Sequence, residues 1–280
     1  MLRIERTGFT TVQDAGRSGF AHLGVPTSGA ADRSSYLLAN RLAGNAPGAA
    51  LFETAGGLSF SALDDVNVVI TGAECDAVAG GRPVAHCAAF MLRRGETLTM
   101  SRVREGVRSY VAVSGGILGT AILGSLSHDT LSSIEPLALQ PGTELAVGTP
   151  VAAPSSLDIP IRPAPARTLR VTKGPHHDFV SVSDSDFAAR NRFRVSTTSN
   201  RIGVRLLADG PSKAGTAATL RSVPLVRGAV QLTPSGELVL MLADHPTTGG
   251  YPVIAVAQAD DVDRLAQTPA DAAVTLAWSQ

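Results

Sequence analysis

Short apolar runs, each cut off by Gly, Pro, Asn or Asp, recur along most of this chain, and that rhythm restricts its fold more than any other feature. Runs such as Val66-Asn67-Val68-Val69-Ile70-Thr71 and Glu96-Thr97-Leu98-Thr99-Met100-Ser101 are short and turn-bounded, so they predict strands. Two segments carry helical signals. In one, Asp32 stands as an N-cap before a run with Leu37, Leu38 and Leu42 and a Gly44-Asn45 stop; the other covers 260–267 and ends at Pro269. A mainly β chain with so few helices argues against a doubly wound sheet and its nucleotide crevice. At 280 residues there is room for two cores. Between Pro150 and Arg167 the composition shifts to Pro, Ala and Ser without hydrophobic period. The expected organisation is a β domain over 1–150, a linker over 151–166 and a second β domain over 167–280, the alternative being a surface crossover within one body.

Apolar residues make up 44% and charged residues 17%, a balance that collapses into a core. Lys plus Arg equals Asp plus Glu at 24 each, which leaves no basic surplus for nucleic acid or an anionic membrane. Only Lys173 and Lys213 are lysines. Lys173 follows a strand and no glycine-rich run, so a P-loop is absent, and neither lysine has the Met-Lys-Met setting of a biotin carrier. Cys75 and Cys87 flank a segment that turns at Gly80-Gly81, and two buried thiols are expected in place of a disulfide or zinc site. The N-terminus alternates like a strand and lacks a signal-peptide core. The uncharged stretch Ser109 to Ser127 is broken by Gly115, Gly116, Gly119 and Gly124, which fits a buried strand entering a glycine-rich loop better than a membrane span. A soluble, cytoplasmic protein is expected.

Three stretches could carry chemistry. The first runs from Thr10 through Gln13, Asp14, Gly16 and Arg17 to Gly24-Val25-Pro26-Thr27-Ser28-Gly29-Ala30-Ala31-Asp32, an ordered polar loop suited to mounting binding groups. Turn glycines, an Asp14–Arg17 pair and an Asp32 cap are its structural alternative. The second is Ala243-Asp244-His245-Pro246-Thr247-Thr248-Gly249-Gly250-Tyr251-Pro252, at the end of a hydrophobic strand. Its hydroxyls and backbone N–H groups could hold a small anion or carbonyl, with Asp244 and His245 as acid and base. A tight turn with Tyr251 packed on the barrel is the alternative. In the third, Thr198 to Leu206, alternation puts Arg201 and Arg205 on one strand face, suited to a phosphate or carboxylate or simply exposed to solvent. His176-His177-Asp178 reads as a loop, and Ser127-His128-Asp129 is discounted as a triad because real triads converge from separate segments.

In order and length these stretches, with Asn40, Glu53-Thr54, Ile70-Thr71-Gly72-Ala73, Tyr110 to Ile117 and Leu123-Gly124-Ser125, resemble the C-type subunits of bacterial ATP-dependent 5-oxoprolinase. That group is also called allophanate hydrolase subunit 2 and is related to the carboxyltransferase region of urea carboxylase. The resemblance implies two cyclophilin-like β-barrel domains with few short helices, and a smaller B-type subunit as partner. It implies ATP-driven opening of 5-oxoproline to glutamate. On that reading Arg201 or Arg205 balances phosphate charge, the Thr248-Gly249-Gly250 amides hold an oxyanion, and Asp244 or Asp32 positions a proton or Mg²⁺. Gln13, Asp14, Arg17, Asn40, Glu53 and Tyr251 join the expected binding set, with Asp244, Asp32 and His245 as catalytic candidates. Alternatives are a urea-type amide hydrolase, a carboxyltransferase component using biotin from another chain, and a non-catalytic regulator of the B-type partner. The chain departs from the group at Ala31, His245-Pro246 and Ser127-His128-Asp129, where Met, Arg-Gln and Ser-Thr-Asp are usual, which points to a shifted substrate or activity.

Overall fold

The turn-bounded apolar rhythm becomes strands along the computed structural model, which describes residues 1–159, 161, 164–179, 192–208 and 220–279. Lys213 and the linker prolines Pro160 and Pro163 lie outside the described residues. Contacts divide the chain into two units: Met1–Arg17, Ser28–Asp129 and Ser133–Ala164 in the first, Ser18–Thr27, Thr130–Ser132 and Pro165–Gln280 in the second.

The first unit is organised around two long antiparallel strands, β5 (Val66–Ala79) and β8 (Thr97–Val113). Register shifts between Gly72 and Ala77 bend that pair. The bend lets β8 pair with β3 (Leu51–Thr54) at one end and β4 (Ser59–Ala62) at the other. The sheet continues through β1 (Leu2–Arg6) and β10 (Glu144–Val147) to β9 (Ile117–Leu118), and through β3 to β2 (Thr10–Gln13). Short β6 (Arg82–Pro83) and β7 (Phe90–Leu92) pair on β5, and Ala79 opposite Arg82 closes the hairpin at Gly80-Gly81. Both faces of the central strands are buried, which is why their sequences run apolar without clean alternation. Ile4, Phe52, Phe60, Ile70, Leu98 and Val111 pack on one face. On the other, Leu51, Val69, Tyr110 and Ala112 receive Tyr36, Leu38 and Leu42 of α1 (Arg33–Leu42). Each such buried side chain contributes about 2 kcal/mol. Asp32 caps α1 by accepting from Ser35 N at 3.0 Å. After β8 the chain turns at Gly115, whose φ of 100° and close approach to the Gly148 carbonyl leave no room for a Cβ. Residues 151–157 are bonded to this unit through Ala152 N to Gly44 O, Ser155 N to Leu42 O and Leu157 N to Cys87 O.

The second unit holds a closed seven-strand barrel among its described residues, in the order β11 (Thr168–Lys173), β18 (Val253–Ala257), β15 (Ala229–Leu232), β16 (Leu238–Met241), β13 (Gly203–Ala208), β12 (Arg192–Val195), β19 (Ala273–Trp278). Parallel pairing of β11 with β19 closes it and removes both sheet edges. Leu169, Val171, Val204, Leu206, Leu238, Leu240, Val274 and Leu276 are buried at period two, as a filled small barrel requires. Helix α2 (Ala259–Ala266) lies on β11, where buried Asp261 accepts from Arg170 N and Nε, both at 2.8 Å. A separate ladder, β14 (Val223–Pro224) with β17 (Thr248–Gly249), adjoins a cluster of Leu225, Ala229, Met241 and Val253.

The mainly β fold with few helices is therefore as the rhythm predicted, with the barrel closed in the second unit and a curled open sheet in the first. Among the described residues the two helical signals become α1, between its Asp32 cap and its Gly44-Asn45 stop, and α2, which ends before Pro269. Both cysteines are free and buried. No helix among the described residues is long and apolar enough to cross a membrane.

Candidate functional site

In the first unit the polar residues between β2 and α1 are drawn into a buried network. Asp14 Oδ1 accepts from Ser125 Oγ and Ser127 Oγ, both at 2.6 Å, and from Gly16 N at 2.8 Å, while Oδ2 accepts from Leu126 N at 2.6 Å. Arg17 donates Nη2 to the Ser127 carbonyl, and Gln13 Nε2 donates to Thr11 Oγ1 and the His128 carbonyl, both at 3.0 Å. These residues fasten the glycine-rich loop after β9 to the end of β2. Gly29, at φ 86°, packs so closely on Ala15 and Gly16 that a Cβ would stand 3.0 Å from their backbone, and Ala30 N donates to Asp14 O. That brings the loop before α1 alongside. Glu53, on β3, then accepts Ala31 N at 2.9 Å and lies 3.4 Å from Arg108 Nε. Asp32 N donates to Tyr110 Oη at 2.7 Å, and Asp32 Oδ2 accepts Ser35 Oγ at 2.5 Å. Burial pushes the Tyr110 phenol well up, reinforced by Glu53 and Asp32, so it stays neutral. Asn40 serves elsewhere in the unit: its Nδ2 donates to Ala49 O and its Oδ1 accepts from Asn45, fixing the turn after α1.

In the second unit Asp244 is fully buried and receives four donors. Arg201 binds it through Nε and Nη2, both at 2.9 Å, and Thr130 gives its N–H at 3.1 Å and its hydroxyl at 2.7 Å. Backbone bonds from Asp244 N to Arg201 O and Leu242 N to Ile202 O align the two segments. Burial pushes the Asp244 carboxyl up, but the Arg201 charge and the hydrogen bonds from Arg201 and Thr130 outweigh it and hold the carboxyl below its usual 3.8. A carboxyl whose folded-state pKa lies below its unfolded one stabilises the fold above the unfolded value, and that contribution is lost as pH falls through the folded value. Urea unfolding followed through Trp278, the single tryptophan, should therefore be independent of this group above about pH 5 and weaken steadily at more acid pH. A flat profile down to about pH 2 would show that Asp244 is not ionised in the fold.

His245 is buried beside Asp244, and its Nδ1 lies 2.8 Å from the Pro246 carbonyl. A carbonyl only accepts, so Nδ1 carries the proton in that bond. Thr248 and Gly249 form β17. The position of Gly249 is set by Gln231 Nε2 and Leu225 Cδ1, which would stand 2.7 and 2.8 Å from any Cβ. Gln231 Nε2 also donates to Tyr251 O, and Tyr251 itself is exposed.

The geometry corrects several expectations. Arg201 and Arg205 do not share a cationic strand face: Arg201 precedes β13 and is buried against Asp244, whereas Arg205 points out to Glu237 at 3.3 Å. Asp244 does not stand beside His245 as a second proton carrier, because its oxygens are already taken by Arg201 and Thr130. Of the residues named for phosphate and Mg²⁺, Arg201 and Asp244 neutralise each other, and both Asp32 oxygens accept from Ser35. Ser127 and His128 take separate partners, Asp14 and Glu135. Sequence reasoning missed Thr130, Arg108, Ser125 as a ligand of Asp14, and Gln231. Only Ser125, inside a glycine-rich loop, carried a signal; the others are ordinary polar residues until folding sets them against a charge.

A family model described as the carboxyltransferase domain, subdomains A and B, matches residues 23–278. The chain is similar to the C-type subunit of 5-oxoprolinase from Escherichia coli (strain K12), 34% identical over 275 residues that cover 96% of this chain and 88% of the relative. It is similar to urea amidolyase of Lachancea kluyveri at 30% identity over 272 residues, which cover 87% of this chain but 15% of that protein. Among solved structures, the crystal structure of TTHA0988 superposes with a TM-score of 0.86 at 32% identity, covering 100% of this chain and 55% of that one. This chain thus spans about half the length of that solved relative.

Proposed function

Because this chain belongs to the carboxyltransferase domain family of subdomains A and B, we propose that it is the C-type subunit of a cytoplasmic, ATP-dependent amide hydrolase that opens 5-oxoproline to glutamate with a smaller B-type partner. The observation that carries this reading is the two-sided match to the C-type 5-oxoprolinase subunit, which runs through most of both chains, whereas the amidolyase match covers a small part of the relative. Hydrolysis of a lactam needs a water made nucleophilic, a carbonyl oxygen stabilised as it gains charge, and a proton for the departing nitrogen. His245 Nε2 is the base assigned to the water, and the same proton passes to the ring nitrogen as its bond to carbon breaks. The backbone around Thr248, Gly249 and Gly250 is assigned to the oxyanion. Asp244 and Arg201 act through His245 by fixing the segment that carries it. ATP supplies activation of the carbonyl in the assembled complex.

The test is co-expression with a B-type partner and the remaining subunit of the complex, followed by ATP hydrolysis with and without 5-oxoproline. Stimulation by 5-oxoproline is expected, and His245→Ala should lower it by about a hundredfold with an unchanged melting temperature. The family model's own description favours a second reading, a carboxyltransfer component that takes biotin from another chain. Turnover of urea derivatives without 5-oxoproline stimulation would establish that one instead. Tight binding to the B-type partner with no turnover on either substrate would make the chain a regulator.

A further inference from the structure

The hairpin half of β5 borders a cavity of about 460 Å³, within the range that holds small molecules. Cys75 and His86 face each other in its wall, with Sγ 3.9 Å from Nε2. The pairing is built into the fold. Val84 N donates to Ala77 O and Cys87 N to Ile70 O, which fixes the segment carrying His86 along β5 on both sides of the imidazole. Glu74, Asp76 and Arg104 complete the rim, with Arg104 3.3 Å from Glu74 and 3.1 Å from Asp76. Among the lining side chains, two carboxylates stand with one guanidinium, so acidic groups outnumber the arginine there. None of these residues enters the lactam chemistry, so the role of this cavity is independent of it.

We propose that this cavity is a thiol-modification site, in which Cys75 exchanges with a small disulfide carrying amino groups and His86 accepts the thiol proton. The Cys75 S–H bond breaks and its proton passes to His86 Nε2. The thiolate attacks one sulfur of the disulfide, a new S–S bond forms to Cys75, and the old S–S bond breaks with its electron pair on the leaving sulfur. That sulfur takes the proton from His86. Cys75 is oxidised to a mixed disulfide and the released half is reduced to a thiol, so no further oxidant is needed. Burial pushes the Cys75 thiol up, countered in part by the Ser109 hydroxyl 3.8 Å away, so little thiolate exists at rest and the imidazole is needed to remove the proton. The acidic excess at the rim favours a cationic disulfide. Cys87 is an internal comparison: its Sγ donates to the Ile161 carbonyl at 3.5 Å, and it does not line the cavity.

The experiment treats the folded, full-length chain with cystamine and follows both cysteines by peptide mass spectrometry. Cys75 should form the adduct well before Cys87. His86→Gln should slow it by at least about tenfold. At low salt the anionic 3,3′-dithiodipropionate should react about threefold more slowly than cystamine, with the difference shrinking as salt is raised. Protection of Cys75 in the folded chain, with both cysteines reacting in urea, would overturn the proposal, and that comparison needs no variant. An unchanged rate in folded His86→Gln would overturn the role of the imidazole, and a faster anionic disulfide would overturn the charge preference.

Discussion

Asp244→Ala should lower the stability of the second unit by about 3–5 kcal/mol, the range for removing one partner of a buried ion pair. The carboxylate is fully buried and receives Arg201 through two nitrogens and Thr130 through its amide and hydroxyl. Its loss leaves a guanidinium charge in a site with little access to water and strands two further donors. Trp278, on β19 of the same barrel, reports the transition in urea. Arg201→Met should cost a similar amount because it strands the carboxylate, and the double variant should cost clearly less than the sum of the two, since neither charge is then left alone. This makes Asp244→Ala a poor probe of catalysis: lost turnover would follow from lost structure. His245→Ala leaves the Arg201–Asp244 pair in place, and it is the cleaner probe. If Asp244→Ala unfolds within about 1 kcal/mol of the parent chain, Asp244 is not an anchor and its carboxylate is available for chemistry.

In the first unit, Asp14→Ala should cost about 3 kcal/mol or more, because four donors converge on one carboxylate and a stranded buried donor costs roughly 1–3 kcal/mol before relaxation. Ser125, Leu126 and Ser127 lose the group that holds their loop to β2, and Gly16 loses its turn bond. Amide hydrogen exchange should show the loss locally first, at Leu126 and Gly16. Asp14→Asn keeps the shape but sets an NH₂ group against donors, so it should recover little. Exchange rates in Asp14→Ala equal to those of the parent at both amides would mean that the loop is held by other contacts.

Much of this architecture was legible in the chain because its causes are local. The turn-bounded apolar run at Val66–Thr71 lies within β5 and that at Glu96–Ser101 opens β8 from Thr97, and Asp32 with Gly44-Asn45 bounds α1. What periodicity did not show is how far those strands extend. β5 and β8 run through polar residues such as Glu74, Asp76 and Glu105, because pairing with each other satisfies their backbones whatever the side chains are. The alternation of Arg201 and Arg205 misled for a related reason: a period of two applies only inside a strand, and Arg201 stands before β13 begins.

The sequence by itself determined a mainly β chain with two helical segments, the first capped by Asp32, two thiols without a disulfide partner pattern, and the stretches where polar groups gather, since propensity, capping and turn chemistry act over a few residues. Only the tertiary structure decided which polar groups are buried against which. Thr130 and Arg201 lie 114 and 43 positions from Asp244, and Ser127 lies 113 positions from Asp14. Pairing over such distances is fixed by sheet register and barrel closure. That pairing sets whether a carboxylate is an anchor or a reagent, because a charge removed from water is governed by the partners folding brings to it.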